Sequence, residues 1–364
     1  MSRIDSGQVT AIFLFDVAET IRLDQVRAIG GHAARDTRLT TKVAAPVYVQ
    51  YNPPPIGLSG DIVGVKEIQG FSTAFKVYEY GVISVALTLE FRGTWSDFIT
   101  FSAGVMSSGA LETGARRACE KLIEKIGAAP IGLRSSYLSE DYYVFGVRRL
   151  DQPIDAHALI KEHAADIARL LRSEKKPLSA DERDEVMRHR LSYLADDVVI
   201  VTWQSAFVYD PDDLQAAVEI LEFANSQLLQ FRYYDDLLDR ELNAIYVQVE
   251  KPPRWFDSVV GGRYTKAAHH VHSLFIDINE ITDKTENALK MVGDIYAARL
   301  FQLAARRIGV DNWKQAVAEK LRTLDSIYQF IVQEVNMRRG HVLELTIIVI
   351  LLFELALFFM GIMT

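Results

Sequence analysis

The chain has 364 residues, 49% of them hydrophobic and 24% charged, with a formal net charge of −8 and one cysteine. That balance supplies enough apolar surface for a core and excludes extended disorder. The negative charge argues against direct nucleic-acid binding, which needs a basic face to displace counterions from phosphate, and a lone cysteine excludes an intramolecular disulfide.

Val9 to Phe15 predicts a first strand, because β-branched and aromatic residues crowd it; Asp16 then ends an apolar piece too short for a signal peptide. Pro46 to Tyr51 predicts a second strand, stopped by Pro53, Pro54 and Pro55. Phe71 to Phe91 predicts a hairpin turning near Tyr80-Gly81, with Val82, Ser84, Ala86 and Thr88 alternating along the return arm. Ser96 is the expected N-cap of a helical stretch that runs to Ile126 and breaks near Ser107 to Gly109. Cys119 falls inside that stretch, where a small buried side chain is expected rather than a nucleophile.

Tyr142 to Val147 predicts another strand, and Asp155 caps a helix reaching Leu171. The basic residues Arg169, Arg172, Lys175 and Lys176 read as that helix's solvated end. Leu191 to Ala195 and Val198 to Tyr209 predict a strand pair joined at Asp196-Asp197. Strands separated by helices, yet including hairpins, predict an α+β domain over residues 1–210: a mixed sheet with helices covering one face.

From Pro211 the pattern is helical. Leu214, Leu221, Leu228 and Leu242 recur in sevens, interleaved with Ala217, Ala224, Phe231, Leu238 and Ile245. This is an a/d seam with Asp235 as its polar intruder, which needs Arg232, Arg240 or a lysine from a facing helix as partner. Residues 211–251 thus predict a long linking helix, ended by Pro252 and Pro253. Residues 252–340 predict an antiparallel, coiled-coil-like helical hairpin, with seams at Val271, Leu274, Ile278 and Ile281 and at Leu321, Leu324, Tyr328, Ile331 and Val335, turning at Gly309. Leu324, Tyr328 and Ile331 are the expected interface positions of this stalk.

Residues 341–364 predict a transmembrane tail anchor. At about 1.5 Å per residue, Val342 to Met363 spans about 33 Å, against a hydrocarbon core of about 30 Å. Its Leu, Ile, Val and Phe residues contribute about −4 to −9 kcal/mol, and a central carboxylate opposes with on the order of +3 kcal/mol. Insertion wins despite Glu344 and Glu354. Arg338 and Arg339 precede the run with no cation after it, so the positive-inside rule places the N-terminal body in the cytoplasm. Continuing the heptad puts Val342, Leu345, Val349, Leu352, Ala356 and Phe359 on the seam. Glu344 and Glu354 fall on the other side, and Glu354 is expected at a subunit interface.

Signatures of nucleotide, zinc and hydrolase sites are missing from the sequence. His269, His270 and His272 come nearest to a metal constellation and read instead as a polar helix face; His189 stands alone. Tyr233, Tyr234, Asp235 and Asp236 form the densest polar-aromatic patch, for which a structural contact outweighs a catalytic acid. No catalytic, cofactor-binding or metal residue is assigned.

Three runs, Phe223 to Leu242, Glu286 to Tyr328 and Arg338 to Phe359, resemble the "required for meiotic nuclear division" family, the last through Arg338, Gly340 and His341 leading into Leu343-Glu344 and an apolar helix. The resemblance implies a membrane-anchored oligomer without established catalytic residues, here a bacterial member at the inner membrane, with relatives linked to translation at the mitochondrial inner membrane. The expected function is accordingly a non-catalytic, homo-oligomeric scaffold that holds a protein partner at the bilayer. The alternatives are a ligand-sensing or enzymatic domain in the α+β half, or an accessory subunit of a transport complex.

Overall fold

The structure is a computed structural model and describes residues 3–30, 35–36, 54–65, 67–250, 273, 275–276, 278–279 and 295–359. The strand expected at Pro46 to Tyr51, the histidines 269, 270 and 272, and most of the seam from Val271 to Ile295 lie outside these residues. Clustering of contacts divides the chain into two compact units, one of Met1–Tyr233 with Lys284–Lys314 and one of Tyr234–Asp283 with Gln315–Thr364.

The first unit begins with β1 (Arg3–Asp16), β2 (Thr20–Ile21), α1 (Leu23–Gly30), β3 (Arg35–Asp36) and β4 (Ile56–Ser59). Next come α2 (Gly60–Val63), β5 (Glu67–Ile68), β6 (Phe71–Val77), β7 (Val82–Thr94), α3 (Trp95–Met106) and α4 (Gly109–Ile126). Then follow β8 (Pro130–Ile131), β9 (Leu138–Leu150), α5 (Ala156–Arg172), α6 (Ala180–Arg188), β10 (Arg190–Leu191), β11 (Val198–Val201) and β12 (Ser205–Tyr209). Three helices complete the described chain: α7 (Leu214–Glu250), α8 (Ile295–Ile308) and α9 (Val310–Phe359).

The main sheet runs β10-β11-β12-β9-β1-β7-β6-β4-β3, with β5 beside β6. Only the β12–β9 pairing is parallel among the described strands, so the α+β class and the mixed sheet hold. β1 is central, and its side chains are buried on both faces. Phe13 sits between Val85 of β7 and Asp141 of β9, and the strand pairs along nearly its whole length on both sides. Val9, Ala11, Phe13 and Phe15 point into one core with Phe145 of β9, Val85 and Leu87 of β7, and the inner faces of α3, α4 and α5.

Residues in between, Gln8, Thr10, Ile12, Leu14 and Asp16, point to the opposite face and are buried there as well. α7 covers them. The expectation of helices on one face is therefore corrected to helices on both, which is why β1 lacks the polar-apolar alternation of a half-solvated strand.

Local chemistry sets the helix ends. Thr94, not Ser96, caps α3: its hydroxyl accepts from the Asp97 backbone while the Asp97 carboxylate accepts from the Thr94 backbone. Asp155 caps α5, accepting from the Ala158 N–H at 2.7 Å. The arm Val198 to Tyr209 is itself a hairpin, β11 turning into β12 at Thr202, whose Oγ1 donates to the Ser205 carbonyl at 2.8 Å. α8 packs against β10 and β11 and meets α7 through Phe301 and Phe223, ring centroids 5.4 Å apart. Gly309, at φ +87°, separates α8 from α9, a left-handed position that ends one helix and restarts the next.

In the second unit the later part of α7 contributes buried Leu238, Leu242 and Ile245, and α9 contributes buried Val317, Leu321 and Leu324. From Gly340 to Leu357, α9 is long and apolar enough to cross a membrane, with none of that stretch buried. No break separates stalk and apolar run, and Val310 to Phe359 is one helix.

Candidate functional site

Every residue of α7 from Ala216 to Phe231 is buried. Leu221 and Leu228 of the sevenfold repeat thus lie in a stretch of helix enclosed on all sides, whereas Leu242 lies beyond it, among the exposed Asp239, Arg240 and Asn243. Along one line of it stand Glu219, Glu222, Ser226, Gln230 and Tyr233, at spacings of three and four that share a helix face. This line, with the sheet residues beneath it, gathers many of the buried polar groups among the described residues.

Apolar contact seats the start of the helix. A Cβ at Gly146 of β9 would stand 2.9 Å from Leu214 Cδ1 and 3.1 Å from Gln8 Cγ, so glycine here lets α7 approach the strand. Further along, the contacts turn ionic. Lys76 Nζ on β6 lies 2.6 Å from Glu222 Oε2. Tyr80, in the β6–β7 turn, shares a 2.7 Å hydrogen bond with Ser226 Oγ and accepts from Gln227 Nε2 at 3.1 Å, while its carbonyl accepts from Gln230 Nε2 at 2.6 Å. Burial pushes the Tyr80 phenol well above its ordinary range, so it stays neutral.

Two arginines finish the line. Arg232 of α7 pairs with Glu140 of β9 and lies over the Trp313 ring at 5.9 Å. Arg134, following β8, places its guanidinium 3.5 Å from the Tyr233 ring centroid and its Nε 2.9 Å from Asp16 Oδ2, a contact of charges rather than an aligned hydrogen bond. Asp16 is wholly buried at the end of β1, and burial outweighs the opposing pull of Arg134, pushing its carboxyl up to about 7. Glu222, Asp16 and Glu140 thus each meet a cation beneath α7, an arrangement suited to fixing where a helix sits.

Of these residues the sequence marked Tyr233, in its polar-aromatic patch, Tyr80, at a hairpin turn, and Arg232, which pairs with Glu140 instead of the expected Asp235. The available signals were Asp16 closing an apolar strand and two glutamates three apart in an apolar helix. The other residues singled out from sequence lie elsewhere. In the second unit, Asp235 Oδ1 is 2.7 Å from Lys320 Nζ, which also reaches Asp239 Oδ1 at 2.7 Å. Leu324 is buried, Tyr328 half-buried, and Ile331 lies on α9 with its side chain outside the described set. Glu344 and Glu354 are exposed on α9. Cys119 is buried and its thiol is pushed upward by that burial; His189 Nε2 lies 3.2 Å from Glu185 Oε1.

A family model described as "Uncharacterized protein MJ0711, N-terminal domain" matches residues 6–215. Uncharacterized protein MJ0711 of Methanocaldococcus jannaschii is 24% identical over 204 residues, 56% of this chain and 62% of the archaeal protein, so the chain covers less than two thirds of that relative's length. No solved structure matches. These findings overturn the resemblance to the "required for meiotic nuclear division" family, and its implied link to translation falls with it. The three runs behind that resemblance all lie outside the matched residues, and amphipathic and apolar helices recur in unrelated chains. The matched region holds Asp16, Lys76, Arg134 and Glu140 of the sheet side and stops at the start of α7.

Proposed function

We propose that this chain, which belongs to the family of the MJ0711 N-terminal domain, is a non-catalytic, membrane-anchored scaffold. It assembles as a homo-oligomer and presents its α+β domain to a protein partner on the cytoplasmic face of a membrane. The observation that carries this reading is α9, which runs unbroken from Val310 into an apolar stretch with no buried part, Gly340 to Leu357. Arg338 and Arg339 at the start of that stretch favour a cytoplasmic body.

The site supports a scaffold over an enzyme. Glu222, Asp16 and Glu140 each face a cation of the chain itself, and residues 216–231 of the helix are all buried, whereas catalytic groups must face a substrate. Fractionation tests the anchor: the full chain should stay in the membrane pellet after a high-salt wash, and deletion of Val342 to Thr364 should release it. Thermal shift of the full chain in mild detergent against a metabolite panel tests the rest. A reproducible shift of several degrees with one compound would favour the ligand-sensing or enzymatic alternative.

A further inference from the structure

The apolar end of α9 carries two carboxylates in unequal positions. Glu344 lies within one turn of His341 and close behind Arg338 and Arg339, where a long side chain reaches the interface. Glu354 is ten residues on, about 15 Å along the helix, and within about 2 Å of the midpoint of the run from Val342 to Met363. Its neighbours one turn either way are Ile350, Leu351, Leu357 and Phe358, none with a polar side-chain atom. By contrast Thr346, the other polar residue of the run, satisfies itself by donating to the Val342 carbonyl at 2.7 Å. Every side chain from His341 to Ala356 is exposed. A helix in lipid with this pattern has one strong hydrogen-bonding group and nothing of its own to bind it.

We propose that Glu354 is the self-recognition residue of the anchor and meets the same residue of a second copy inside the bilayer. The inference rests on the scaffold reading above. Two identical chains inserted in one orientation bring this residue to the same depth by construction. Two carboxyl groups at one depth can hydrogen-bond to each other, so the residue is its own complement. Ile347 and Leu351, seven and three residues before Glu354, lie on the same helix face and pack on the N-terminal side of the contact. A cationic helix of another protein would also satisfy the carboxylate, but would not make the anchor associate with itself.

The test compares the wild type with Glu354→Gln, Glu354→Leu and Glu344→Leu, as full chains in mild detergent and in liposomes, by native mass spectrometry and crosslinking. Wild type, Glu354→Gln and Glu344→Leu should assemble alike, since an amide also pairs with itself. Glu354→Leu should associate at least tenfold more weakly while remaining in the membrane fraction. A Leu variant that assembles like the wild type overturns the role of Glu354 and leaves the scaffold reading standing, as does a Gln variant that fails to assemble. A monomeric wild type overturns both the inference and the homo-oligomer on which it rests.

Discussion

Lys76 and Glu222, 146 residues apart in the chain, meet 2.6 Å from each other beneath α7, both side chains nearly inaccessible to water. A pair of this kind adds little net stability over apolar side chains, because both charges lose their hydration. What it does is penalise every placement of α7 in which the two do not meet.

Breaking the pair from one side should therefore be costly. Lys76→Met leaves the Glu222 carboxylate buried and alone, and should lower the unfolding free energy by about 3–5 kcal/mol. Lys76→Met combined with Glu222→Leu should recover most of that loss. Denaturant titration of the full chain in detergent measures both, and a single variant as stable as the wild type would remove the pair from any structural role.

Asp16 gives a prediction in pH. With its carboxyl raised from 3.8 to about 7, the folded chain keeps a proton that the unfolded chain releases. Its contribution to stability therefore falls as pH rises from about 4 to about 7, by at most ~1.4 kcal/mol per unit, and is level outside that window. Asp16→Asn cannot lose a proton. The melting temperature of the variant relative to the wild type should climb across that window and flatten above it. A constant offset from pH 4 to 8 would show that Asp16 does not titrate there.

At Gly146 the steric argument is direct. Gly146→Val puts atoms where Leu214 and Gln8 already sit, 2.9 and 3.1 Å from the first added carbon, and should cost about 1–3 kcal/mol. Leu214→Ala in the same chain vacates part of that space, so the double variant should lose less than the sum of the two single losses. Additive losses would place α7 farther from β9 than described.

Leu324→Asp tests the second unit. Leu324 is fully buried on α9, and a carboxylate there should cost several kcal/mol. An unchanged thermal melt would mean this face of α9 is open to water.

Much of the fold could be read from residues alone. The hairpin at Tyr80-Gly81, the break between α3 and α4, the cap at Asp155 and the continuity of α9 are each written in local chemistry. The turn between β11 and β12 was not, because Thr202-Trp203-Gln204 contains no Gly, Pro, Asn or Asp to mark it. α7 misled in another way. A leucine every seventh residue describes one stripe of a helix and says nothing of what covers the rest, so a core helix and a coiled coil look alike. The polar line beneath it was hidden for a related reason: Glu222 reads as an ordinary solvated residue until the sheet supplies Lys76, and nothing local ties one to the other.

The central place of β1 has a consequence for how the chain reaches its fold. β1 is made before both of its neighbours, which come from residues 82–94 and 138–150. During synthesis from the N-terminus it waits with both hydrogen-bonding edges open, first for β7 and then, across another helix pair, for β9. Pairings so distant in sequence close slowly. Until β9 arrives, the strand that holds the finished sheet together is the nascent chain's most adhesive segment.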